Sequence, residues 1–187
     1  GGDAERGADA RDAIGEFELG HERAFLCSEN VGRVHVVARG LRAMARVYAG
    51  WGFSQAFYRV EEDLKLSFSS LEDFLIAFWE GFFIHKDANN LLALLWTWQY
   101  ADISENEVFG GDFDKALAAI TCKAIVMPGR TDLYFPPEDN ELEVAQMPNA
   151  ELRVIPTLWG HLAGGARNPE DTAWMSEQLQ ELLAGER

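Results

Sequence analysis

Two polar residues stand in equivalent places near the end of the chain. Asp132 follows a compact apolar run, Cys122 to Met127, that closes on Pro128-Gly129, and His161 follows a second extended run, Glu151 to Ile155. If both runs are strands of one parallel sheet, the loops leaving their C-terminal ends gather on one edge, where open α/β sheets bind ligands. Neighbouring strands lie about 4.8 Å apart, so side chains on those loops can meet. A carboxylate that meets an imidazole fixes its tautomer and stabilises its cation, which is the supporting half of a nucleophilic triad. Each residue also has an ordinary reading. Asp132, in Arg130-Thr131-Asp132, can be a turn acid, and His161, in Trp159-Gly160-His161, a hydrogen-bonded loop histidine. The paired placement on consecutive strand ends weighs against both.

The elements that must position this pair follow a strand–helix–strand–helix grammar. Pro136-Pro137-Glu138-Asp139 opens a helix that Met147-Pro148-Asn149 stops. Asn168-Pro169-Glu170-Asp171 starts the last one, with an Asn cap and acids in the first turn, and Leu179, Leu182 and Leu183 supply its inner face. Alternation of this kind means parallel strands joined by crossovers, an α/β class. Upstream, residues 41–120 read as a helical block dense in Trp and Phe. Val34-His35-Val36-Val37 suggests a short strand, and Leu41 to Tyr48 a helix that Gly50 and Gly52 interrupt. Ser70 and Asp73 form a capping-box pattern before a stripe of Leu71, Phe74, Leu75, Phe78, Phe82 and Phe83, with Trp79 on its flank. Further helices are expected over Asn90 to Tyr100 and after Asp112. Residues 1–40 read as a loosely structured lead-in, and Gly15-Glu16-Phe17-Glu18-Leu19 has the look of linker sequence foreign to the natural fold.

The composition narrows the function classes. The chain has 187 residues, 16 Lys plus Arg against 31 Asp plus Glu and a formal net charge of −15. That balance excludes nucleic acid and anionic membrane surfaces as main partners, since both need clustered cations. With 48% hydrophobic and 12% aromatic residues the chain is globular rather than disordered. Cys27 and Cys122 form neither a disulfide framework nor a metal-ligand spacing. With no secretory signal pattern and no apolar stretch of about 20 residues, the expected compartment is the cytoplasm.

Arg130-Thr131-Asp132-Leu133-Tyr134-Phe135-Pro136-Pro137 together with Trp159-Gly160-His161 resembles the C-terminal part of the homoserine O-acetyltransferase-like branch of the α/β-hydrolases. The resemblance implies a triad acid at Asp132 and a triad base at His161. The block containing Ala49-Gly50-Trp51-Gly52-Phe53-Ser54-Gln55-Ala56-Phe57-Tyr58-Arg59 and Asp87-Ala88-Asn89-Asn90 resembles that family's helical lid. The implied fold is therefore a partial α/β-hydrolase, with an α-helical lid over 41–120 and an α/β part over 121–187 carrying acid and base. The implied chemistry is acyl transfer from a small ester or thioester to water or an alcohol, with no metal or redox cofactor. Two departures stand out. Leu162-Ala163-Gly164 follows the histidine where the acetyltransferases usually have Asp-Ala-Phe, which leans toward an esterase. No Gly-x-Ser-x-Gly nucleophile elbow is present.

Gly52-Phe53-Ser54-Gln55-Ala56 comes near that elbow, and the order Ser54, Asp132, His161 is that of the α/β-hydrolases. An elbow needs a strand directly before it, whereas the pattern upstream of Ser54 is helical, so the lid-serine reading is favoured. The aromatic stripe reads as ordinary helix core, with acyl-pocket lining or a dimer contact as the alternative. His85 reads as a helix-end residue, and His21 and His35 have no partners at useful spacing. The rival to an enzyme is an inactive remnant that serves as an association module. The expected oligomer is a homo-oligomer formed through the lid or an exposed sheet face.

Overall fold

A computed structural model describes residues 31–185. The expectations for the lead-in over residues 1–30, including His21 and Cys27, lie outside the described residues. The described chain divides into two compact units, one formed by 31–46 with 61–88 and the other by 47–60 with 89–185.

The chain opens with α1 (Val31–Gly52), which corrects two expectations. The β-branched run 34–37 is helical, not a strand, and Gly50 and Gly52 end the helix instead of interrupting it. Leu41, Ala45 and Ala49 are buried at spacings of four, so the helical period overrides local β propensity.

In the first unit, short helix α3 (Glu62–Lys65) precedes α4 (Leu71–Phe74), which passes into a π-helical segment, Leu75–Glu80, and then α5 (Gly81–Ile84). Ser70 caps α4, its hydroxyl accepting from the Asp73 amide at 3.1 Å. The return bond of the capping box goes one residue further back, with the Asp73 carboxylate accepting from the Ser69 amide at 2.9 Å. The expected stripe is displaced. Phe74, Trp79 and Phe83 are the buried residues, while Leu71 and Phe82 are about half exposed. The π segment explains this: its i→i+5 bonds carry one residue more per turn, so full burial passes from Phe78, which is half-buried, to Trp79, while Phe83 stays buried as the stripe expects. Arg46 braces this unit, with its guanidinium 2.7 Å from Glu80 and 2.5 Å from Glu72. That ion pair answers the burial of Glu80, which lies at the closely packed end of the π segment.

The second unit holds α2 (Gln55–Arg59), α6 (Ala88–Tyr100, its first residue excepted) and α7 (Phe113–Ala118), the last capped by the Asp112 carboxylate. The strands follow: β1 (Ala124–Val126) pairs parallel with β2 (Ala150–Leu152), and α8 (Pro137–Val144) lies between them in sequence. The register sets Ala124 opposite Ala150 and Val126 opposite Leu152. Beyond the regular strands the pairing continues through a Gly129–Ile155 bridge. A 3-10 turn, Gly160–Gly165, and α9 (Pro169–Ala184) with an Asn168 cap close the described chain. The core gathers Phe53, Phe57, Ile155 and Trp159, with the two Phe rings stacked at 4.1 Å and the Trp159 ring edge-on to both. On α9, Leu179 and Leu183 are exposed, so they are not its inner face. The buried residue of that helix is Asp171. Among the described residues no helix is long and apolar enough to cross a membrane.

Candidate active site

Asp132 and His161 come together. The His161 Nδ1 lies 3.2 Å from Asp132 Oδ2, so the imidazole donates to the carboxylate when Nδ1 carries the proton. The sheet produces this contact. Arg130 donates its amide to the Ile155 carbonyl at 2.9 Å, and Ile155 donates to the Pro128 carbonyl at 2.9 Å, so the two exit loops leave the ladder side by side. Gly129 makes the approach close, because a Cβ there would sit 2.6 Å from the Gly160 carbonyl oxygen. Gly160 itself has φ +57, which suits glycine, and packs against Gly52 and Ser54.

The carboxylate is aimed from both sides. Its Oδ1 accepts from the amides of Tyr134 at 2.8 Å and Phe135 at 3.2 Å, an Asx turn that leaves Oδ2 for the imidazole. The Asp132 side chain is only 8% exposed, whereas a third of His161 is open to solvent. The carboxylate is thus enclosed and the imidazole accessible, an arrangement compatible with a proton carrier. The turn-acid reading of Asp132 holds for one oxygen and the imidazole-partner reading for the other.

Aromatic rings surround the imidazole. Tyr134 lies 4.8 Å and Phe135 5.5 Å from it between ring centres, and Trp98 reaches both at 5.4 and 6.0 Å. Tyr48 packs on Tyr134 at 5.5 Å. Burial pushes both tyrosine hydroxyls above their usual pKa, and the nearby Asp132 charge adds to the rise, so both stay neutral through the physiological range. A cavity of about 260 Å³ opens at the pair, lined by Met127, Gly129, Phe135, Asn140 and Gly160 as well as Asp132 and His161. An open groove of about 340 Å³ lies beside it, between Trp51, Trp98, Leu133 and Tyr134.

Ser54 is not brought to the imidazole. Its hydroxyl donates to the Leu158 carbonyl at 2.6 Å and accepts from the Phe57 amide at 3.0 Å, capping α2. It follows helix α1 rather than a strand, so the elbow context is absent. His85 is the exposed C-terminal cap residue of α5. Cys122 is an exposed free thiol. Among the described residues no group of three or more His, Cys, Asp or Glu side chains could hold a metal ion. Sequence reasoning missed Thr131, whose hydroxyl ties the two loops by donating to the Thr157 carbonyl and accepting from the Gly160 amide, and Thr157, whose own hydroxyl donates to Asp171; only their positions one residue before Asp132 and four before His161 hinted at it.

No protein-family model matches the chain. A probable esterase of Corynebacterium glutamicum is 40% identical over 126 residues, which are 67% of this chain and 36% of that protein. An ethyl acetate hydrolase of Pseudomonas veronii is 34% identical over 148 residues, 79% of this chain and 42% of that protein. A homoserine O-succinyltransferase of Marinobacter nauticus is 35% identical over 135 residues, 66% of this chain and 35% of that protein. Among solved structures, the acetyl esterase MekB superposes with a TM-score of 0.76 at 31% identity, covering 94% of this chain and 48% of that one. An acetylester hydrolase from Corynebacterium glutamicum superposes with a TM-score of 0.75 at 32% identity, covering 93% and 47%. The chain spans less than half the length of each. The resemblance is to the α/β-hydrolase superfamily, on the side that holds acetyl esterases and homoserine O-acyltransferases, and ester hydrolysis or acyl transfer is the chemistry at that family level.

Proposed function

We propose that this chain supplies the acid and base of a serine-type acyl transfer, with a small acyl ester or thioester as substrate and water or an alcohol as acceptor. The observation that carries the reading is the 3.2 Å contact between His161 Nδ1 and Asp132 Oδ2. In that arrangement Nε2 of His161 takes the proton of an attacking serine and returns it to the leaving group, while Asp132 holds the tautomer and offsets the imidazolium charge. Residues 41–120 act as the helical lid. The nearness of an ethyl acetate hydrolase and acetyl esterases favours hydrolysis of short esters over transfer to homoserine. Where transfer does occur, an acyl-CoA is the co-substrate. No metal or redox cofactor takes part, and the cytoplasm is the compartment.

A second reading has its own support. Helix α6 buries none of its residues, and Leu92, Leu94, Trp96, Trp98 and Tyr100 are more than half exposed. Apolar faces of this kind serve association, which favours an inactive module, or a homo-oligomer of the active one. A fluorophosphonate serine probe separates the two. Labelling that Asp132→Asn and His161→Ala suppress supports the acyl-transfer reading. No labelling of a folded chain, together with no downfield Nδ1 proton signal from His161, supports the association module.

A further inference from the structure

The buried carboxylate of Asp171 has no part in the chemistry above. As a first-turn acid of α9 it is expected at the surface, where it meets the helix dipole at little desolvation cost. Instead it is 5% exposed. Its Oδ2 accepts a 2.6 Å hydrogen bond from the Thr157 hydroxyl. The Asn168 side chain adds another hydrogen bond to the carboxylate, and burial pushes its pKa up against both. A hydroxyl has one proton, so donation to Asp171 fixes the Thr157 rotor and turns a lone pair to the Trp159 amide, which donates to it at 3.0 Å. The Thr157 carbonyl in turn accepts from the Thr131 hydroxyl at 3.2 Å, and the Thr131 oxygen accepts from the Gly160 amide at 3.2 Å. Thr131 directly precedes Asp132, and Gly160 directly precedes His161.

We infer that Asp171 is a positioning residue for His161, acting through Thr157 and Thr131 to hold the base loop against the acid loop. The inference rests on the acid–base reading of Asp132 and His161. The chain of bonds begins on α9 and ends on the two amides leading into the imidazole. Removing its anchor frees the Thr157 rotor, and the loop then loses its register on the carboxylate.

The test uses the full chain and needs no substrate, so it stands whether or not the acyl-transfer reading does. Amide exchange is followed at Trp159 and Gly160, with Arg130 and Ile155 as internal controls, and the downfield Nδ1 proton of His161 reports its bond to Asp132. In Asp171→Ala, exchange at Trp159 and Gly160 should speed up by about tenfold, the scale of one lost buried hydrogen bond. The controls should hold and the Nδ1 proton signal should weaken or vanish. Asp171→Asn, which keeps an acceptor oxygen, should restore both within about twofold. Should Asp171→Ala not fold, Thr157→Val removes the hydroxyl at nearly constant volume and must give the same pattern. A folded variant with unchanged exchange at both amides and an unchanged Nδ1 signal overturns the inference.

Discussion

Replacing Gly129 with alanine tests the geometry on which the Asp132–His161 contact depends. The new Cβ would sit 2.6 Å from the Gly160 carbonyl oxygen, where ordinary contact begins at 3.4 Å, and it would also press on Ala163 and Thr157 at 3.3 and 3.4 Å. The obstacle is backbone, which cannot rotate away, so the loops must part by about 0.8 Å, the difference between those two distances. The His161–Asp132 contact starts at 3.2 Å, and an opening of that size carries it past hydrogen-bond range. Overpacking of this kind costs about 1–3 kcal/mol. For a chain of this length that lowers Tm by roughly 2–4 °C per kcal/mol. A misplacement near 1 Å can cost about 10²-fold in turnover. Urea unfolding, a thermal scan, the Nδ1 proton signal of His161 and short-ester hydrolysis read these together. If Gly129→Ala is as stable as the parent within about 0.5 kcal/mol and keeps the Nδ1 signal, the reasoning fails.

Three other outcomes are expected. Asp132→Asn should keep the fold and lower ester turnover by about 10³–10⁴-fold, because an amide cannot hold the tautomer or offset the imidazolium; turnover within tenfold of the parent would remove Asp132 from the chemistry. Ser54→Ala should cost about 1–2 kcal/mol in urea unfolding through the lost α2 cap; a variant within about 0.3 kcal/mol of the parent would remove the capping role. Arg153 hydrogen-bonds Glu151 and Glu181 and holds both below the usual carboxylate range. A depressed folded pKa gives stability that is present above the unfolded value and lost as pH falls through the folded one. Arg153→Gln should therefore be less stable near pH 6, with the gap closing as pH falls through and below the usual carboxylate range; a gap that does not change with pH would contradict the pairing.

Legibility in the sequence followed how local each signal was. The Asp132–His161 contact could be read because parallel strands place their exit loops together whatever the tertiary detail. The caps at Ser70 and Asn168 could be read because each is settled within four residues. The Val34–Val37 stretch misled because β-branched residues favour strands in isolation, and the buried spacing of Leu41, Ala45 and Ala49 decides otherwise. The Phe78 and Phe82 assignment misled because a 3.6-residue period assumes uniform winding, and one π turn breaks it. Asp171 went unnoticed as a buried group because a first-turn acid looks the same in sequence whether it meets water or a threonine 14 residues earlier.

Asp132 and His161 are separated by only 29 positions, with a single crossover helix between them. During folding, juxtaposing them therefore requires closure of one short loop, an entropic cost that grows only slowly with loop length. The contact is thus drawn together within one supersecondary unit, and remoter parts of the chain, Asp171 on α9 and Gly52 and Ser54 against Gly160, hold in place what that unit has already brought close.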